Sequence, residues 1–143
     1  MSRPRSFGPS GERMQAFFLV SLGGVLGANV RYLVSTWAAS RFGTAFPYGT
    51  LIVNAAGSLL MGLVLGVLHA RFGDDPSARL AIATGFLGAE TTFSTFAFET
   101  IALVRLNDYV AAVRNVLGNV ALGLTAAAAG LAIAGTATGT AWW

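Results

Sequence analysis

The chain has 143 residues, 55% of them hydrophobic and only 10% charged, with a mean hydropathy of +0.66. Soluble domains carry about 25% charged residues, so there is too little charge here to clothe a soluble surface, and composition points to an all-α integral membrane protein. Cysteine is absent, which excludes disulfides, thiol chemistry and cysteine metal sites. The net charge of +3 comes from nine scattered arginines with no lysine and no basic cluster, so no nucleic-acid partner is indicated.

The first thirteen residues, MSRPRSFGPSGER, are polar and carry Pro4, Gly8, Pro9 and Gly11. They read as a short disordered tail on the aqueous side, ahead of a single four-helix transmembrane domain over 14–143. A bilayer core needs roughly 20 mainly apolar residues per helix, and four such runs follow. The first covers about Met14 to Ala39; it is too long for a signal-peptide core and reads as a retained span. Pro47 and Gly49 mark the loop after it. The second covers about Thr50 to Ala70, and Pro76 is placed to open the third. The third covers about Ser77 to Val104, with an interruption near Gly88–Thr92. RLNDY links it to the fourth, about Tyr109 to Ala134, after which Trp142 and Trp143 read as an interfacial anchor. The apolar runs are continuous, so a barrel of alternating strands is not expected.

Every span carries small or polar residues at four-residue spacing, which places them on one helix face. These are Gly23, Gly27, Arg31 and Ser35; Asn54, Ser58, Gly62 and Gly66; Thr91, Thr95 and Glu99; and Asn115, Asn119 and Gly123. Small residues alone would make helix-packing faces. Amides and an arginine within the membrane are costly and face a bundle interior or a water-filled path, so the four stripes together suggest a hydrated track. With four spans, Arg3, Arg5, Arg13, Arg71 and Arg79 share one side and Arg31, Arg41, Arg105 and Arg114 the other. That near balance removes the usual positive-inside bias. Such a chain can insert both ways round and pair with an inverted copy of itself.

The segment GFLGAETTFSTF, Gly85–Phe96, puts a carboxylate, three threonines, a serine and two glycines inside the third apolar run. The glycines and the β-branched pair Thr91–Thr92 weaken a helix. A break frees backbone carbonyls, tolerated at membrane depth only where they are buried in protein or line a cavity. Freed carbonyls beside a threonine make a hard-oxygen site suited to a small cation such as Na⁺. Phe93 and Phe96 fall on one face once the helix resumes. They are either ordinary core aromatics or rings whose positive edges meet an anion.

Three segments in order, GGVLGANVRY (Gly23–Tyr32), PYGTLIVNAAGS (Pro47–Ser58) and GFLGAETTFSTF, resemble the CrcB/Fluc fluoride channels over roughly residues 14 to 134. The resemblance implies four transmembrane helices with a break in the third, assembled as an antiparallel dual-topology dimer, a homodimer if the chain pairs with itself, multi-pass in the cell inner (plasma) membrane. It implies passive, fluoride-selective conduction that exports cytoplasmic fluoride through two pores per dimer. It further implies a structural Na⁺ at the dimer centre, held by backbone carbonyls matching Gly88 and Thr91. By the same resemblance, Phe93 and Phe96 line the pores with Asn54, Ser94 and Thr95, joined by Asn115 and Asn119 of the fourth helix. Arg31 and Glu99 belong to vestibules. Two positions depart from the family pattern. Asn115 and Asn119 stand where Tyr or Ser is common, and Ala89–Glu90 replaces a glycine and a neutral residue. Glu90 is open between pairing with an arginine, facing the dimer cavity and supplementing the Na⁺ site.

Two other classes compete. A small dual-topology drug/proton exporter would need a carboxylate in its first span, which this chain lacks. An assembly subunit without transport explains the glycines but not the Asn, Thr and Arg stripes together. An enzyme is not expected: His69 is the only histidine, near the end of the second span, and no Ser–His–Asp or metal-ligand cluster exists.

Overall fold

A computed structural model describes residues 10–72 and 76–139. The described residues are helical apart from short links. Helix α1 is Ser10–Phe42, α2 is Tyr48–Phe72 and α5 is Tyr109–Thr138. Between α2 and α5 lie two shorter pieces. The first, α3, runs through Pro76–Ala78, a π-wound stretch Arg79–Leu87 and the turn Gly88–Glu90; the second, α4, is Phe93–Arg105. Among the described residues, three helices are long and apolar enough to cross a membrane: Gly11–Phe42, Tyr48–Ala70 and Tyr109–Thr138. The expected third span is divided, and neither half reaches spanning length on its own. At 33 residues, α1 is about 50 Å long, well beyond a hydrocarbon core of about 30 Å.

Helix ends follow the sequence chemistry. α1 stops at Gly43, whose φ of +81° suits glycine. α3 opens at Pro76, where a missing N–H costs nothing. Asp108 caps α5 by accepting from Ala111 N at 3.0 Å. α1 already begins at Ser10, so residues 10–13 are helical rather than part of a disordered tail. Residues 1–9 of that tail and the Trp142–Trp143 anchor lie outside the described residues.

Two seams without room for side chains hold the bundle. Along α1, a Cβ on Gly23 would stand on Ala81 O and one on Gly27 on Phe86 O. Between α2 and α5, a Cβ on Gly62 would stand on Ala127 O and one on Gly130 on Leu59 O. Backbones that close gain dispersion contacts in lipid, where no hydrophobic force draws helices together. The small-residue faces in the sequence are therefore packing faces at these glycines. Across the first seam, a four-residue step on α1 meets a five-residue step on α3. The wider π turn absorbs that mismatch.

The core is thin. Large apolar side chains such as Phe17, Leu22, Leu117 and Leu124 are exposed along the long helices. An outward apolar surface of this kind is what lipid requires.

Candidate functional site

The site is built around the gap between α3 and α4. Thr91 (φ −77°, ψ 155°) and Thr92 (φ −150°, ψ 115°) are both extended, a conformation that β-branched residues favour. Thr91 closes α3: its N–H and its hydroxyl both donate to Leu87 O, at 3.1 and 3.0 Å. Thr92 opens α4: its Oγ1 accepts from Thr95 N at 3.2 Å, the N-cap geometry. The Thr92 hydroxyl donates to Thr95 Oγ1 at 2.9 Å and lies 3.4 Å from Ser94 Oγ.

The backbone of Thr92 is held from α2. Thr92 N donates to Asn54 Oδ1 at 2.8 Å, and Asn54 Nδ2 donates back to Thr92 O at 3.2 Å. A backbone N–H can only donate, so this contact fixes which way round the Asn54 amide sits. Its Nδ2 then also donates to Asn119 Oδ1 at 2.8 Å. The Nδ2 of Asn119 faces Asn115, donating to its backbone O at 3.0 Å and its Oδ1 at 2.9 Å. Asn115 Nδ2 donates to Thr100 Oγ1 at 2.9 Å, and that hydroxyl donates to Phe96 O at 2.8 Å. A ladder of one polarity thus runs from the break, through α2 and α5, and back into α4.

The break also redirects two carbonyls. In an unbroken helix Gly88 O would receive the N–H of Thr92 and Thr91 O that of Thr95. Here those N–H groups go to Asn54 Oδ1 and Thr92 Oγ1. Gly88 and Thr91, expected from the family pattern to hold a cation, are the first and last of four residues, with Ala89 and Glu90 between them, whose carbonyls lose their helical donors at the break.

Two grooves flank the ladder, each of about 380 Å³. The first is bordered by Asn54, Ser58, Thr91, Phe93, Phe96 and Asn119. The rings of Phe93 and Phe96 stand 5.6 Å apart at 57°. Phe93 is 79% exposed and Phe96 half-buried. The second groove takes in Ser35, Thr50, Thr95 and Glu99. Thr50 Oγ1 donates to Glu99 Oε1 at 2.9 Å, while Glu99 Oε2 is buried without a partner.

The structure therefore gathers Asn54, Thr91, Phe93, Phe96 and Asn119 at one groove and Thr95 and Glu99 at the other. Asn115 is fully buried, borders neither groove and reaches them only through Asn119. Ser94 is exposed beside the Thr92 hydroxyl. Arg31 is half-buried on α1, one turn past the contact of Gly27 with the end of α3. Glu90 is buried; its carboxylate lies over Gly57 of α2, and its Oε2 has no partner. Sequence reasoning missed Thr92 as the hub, Thr100 as a rung of the ladder and Thr50 as the partner of Glu99. The spacing Thr92–x–x–Thr95 just before an apolar run was the available signal for a cap. No cluster of three or more His, Cys, Asp or Glu side chains occurs among the described residues.

Residues 18–131 match the family described as CrcB-like protein, Camphor Resistance (CrcB). Curated relatives share much of the sequence. A protein of Roseiflexus sp. (strain RS-1) is 45% identical over 115 residues, covering 80% of this chain and 93% of that protein. One from Acidobacterium capsulatum is 45% identical over 117 residues, covering 82% and 94%. One from Rhizobium meliloti (strain 1021) is 40% identical over 120 residues, covering 84% and 96%. Each of the three is named fluoride-specific ion channel FluC.

Proposed function

The chain belongs to the CrcB family, and from that membership we propose that it is a fluoride-specific ion channel, a multi-pass membrane protein and not an enzyme. The observation that carries this reading is the 45% identity, over 80% and 82% of this chain, with two proteins named fluoride-specific ion channel. The ring-walled, amide-edged groove on the broken segment of this chain agrees with it.

The finer reading is a passive pore, exporting cytoplasmic fluoride across the plasma membrane, formed by two antiparallel copies that together present four spans each. The divided segment then counts as the third span. Phe93, exposed over four-fifths of its surface inside a membrane segment, gains cover from a second copy. Phe93, Phe96, Ser94, Thr95, Asn54 and Asn119 border the ion path, with Asn115 behind Asn119. Fluoride is small and strongly hydrated, so a path for it has to replace water with close donors while its narrowness rejects larger anions. Ring edges and hydroxyl protons supply such donors without presenting a fixed counter-charge. Arg31 draws anions toward the mouth, and Glu99 stands at the second groove.

We assign the redirected carbonyls of Gly88 and Thr91 to a structural Na⁺ between the two copies. Hard, neutral oxygens suit that ion. When bound, it contributes positive potential at the centre of the assembly.

Efflux from liposomes tests the reading. Purified protein should release fluoride down its gradient without any coupled ion and should release chloride far more slowly. Equal release of both anions, or none of either, would overturn it.

A further inference from the structure

Asn54 does two things at once. It borders the groove along Phe93 and Phe96, and it holds both backbone groups of Thr92. A residue whose task was to offer hydrogen to an anion would keep its Nδ2 free. Here the Nδ2 of Asn54 donates to Thr92 O and to Asn119 Oδ1, which accounts for both of its hydrogens. Its Oδ1 takes the one N–H that an unbroken helix would have returned to Gly88 O. Capture of that N–H and release of the Gly88 carbonyl are therefore the same event.

We propose that Asn54 is a positioning residue: by drawing the N–H of Thr92 into its side chain it bares the Gly88 carbonyl for a cation. The cation site and the anion groove then share one amide. Asn119 and Asn115 keep that amide in its working orientation, because Asn119 Oδ1 faces Asn54 Nδ2 while the Nδ2 of Asn119 is bound to two oxygens of Asn115. Nothing in this arrangement requires a charged side chain. The assignment of Gly88 to a cation rests on the channel reading above; the control of the break by Asn54 does not.

The two roles separate by substitution. Asn54→Asp keeps an acceptor for Thr92 N–H and loses the donors. Asn54→Leu fills the space and loses the acceptor, and Asn54→Ser is too short to reach Thr92. Amide hydrogen exchange is read at Thr92, with Thr91 as the internal control because its N–H is bound to Leu87 O inside the same turn. Loss of one buried bond should speed exchange at Thr92 by about tenfold in N54L and N54S. Exchange at Thr91 should stay within about threefold in both variants, and at both positions in N54D. The parent should melt higher in Na⁺ than in N-methylglucamine, and that difference should persist in N54D and vanish in N54L and N54S.

The proposal is overturned if Thr92 exchanges no faster in N54L and N54S than in the parent, or if N54D loosens Thr92 as much as they do. Should N54L fail to fold, the N54S and N54D pair decides alone. If liposomes with the parent protein carry no fluoride, the channel reading fails while the exchange result still judges Asn54. If exchange behaves as expected but Na⁺ stabilises all variants alike, the link from Asn54 to the cation is wrong.

Discussion

Phe96 is tied into the polar ladder while Phe93, three residues earlier on the same helix, is not. The carbonyl of Phe96 receives the Thr100 hydroxyl at 2.8 Å, and the residue is half-buried; Phe93 leaves 79% of its surface exposed. The two rings meet 5.6 Å apart, so a fixed ring supports an open one.

Substituting either ring by isoleucine removes an aromatic edge while keeping bulk. Fluoride efflux from liposomes should fall by at least about tenfold in F93I and in F96I, since the lost edge contacts amount to about 1 kcal/mol each and several act along a path. Efflux within twofold of the parent in both variants would remove the rings from the path.

Thr92→Val keeps the β-branch and the extended backbone but deletes the oxygen that accepts Thr95 N. Loss of an N-cap costs about 1 kcal/mol, and here it also deprives Thr95 Oγ1 of its donor. The expected result is a melting temperature lower by a few degrees with the oligomeric state intact. A melt identical to the parent would show that the cap contributes nothing.

At the seam of α1 and α3, Gly27→Val has no space, since the first added carbon would stand on Phe86 O and lie 3.1 Å from Glu90 N. Overpacking of this kind costs about 1–3 kcal/mol or more. The variant should be recovered as aggregate, read by size-exclusion chromatography. Gly11→Val, where a Cβ meets nothing within 4 Å, should behave as the parent. Normal recovery of G27V would mean that the two helices do not close at this point.

Glu90 buries a carboxylate oxygen with no partner. Removing an uncompensated buried polar group relieves about 1–3 kcal/mol. Glu90→Met, of similar length, should therefore raise the melting temperature by several degrees in Na⁺-free buffer. A fall would mean that the carboxylate is held by a partner in the assembled protein.

Much of this architecture can be read from the chain. Continuous apolar runs specify the long helices, because lipid selects length and hydropathy and little else; Pro76 and Asp108 mark their ends. The four-residue stripes point to faces that turned out to carry the seams and the ladder. Asn54 and Asn119 were identifiable as costly amides at membrane depth. Their partners were not, since the meeting of residues 54, 92 and 119 depends on three helices closing over glycine. In sequence Thr91 stood out, on the four-residue stripe, and Thr92 did not; the backbone torsions separate the residue that ends α3 from the one that begins α4. The π winding of Arg79–Leu87 left no trace in the hydrophobic pattern, because its cause lies in the neighbour, where Gly23 and Gly27 set the spacing that α3 must match.

That winding sets the rotation of the chain beyond it. Relaxing Arg79–Leu87 to ordinary pitch with every residue kept would swing everything downstream about the helix axis by about 100°. Thr91 and Thr92 would then leave the side of α2 altogether, carrying both hydroxyl caps with them. The wider turn acts as a shim, and the threonine pair reaches its asparagine because that shim is in place.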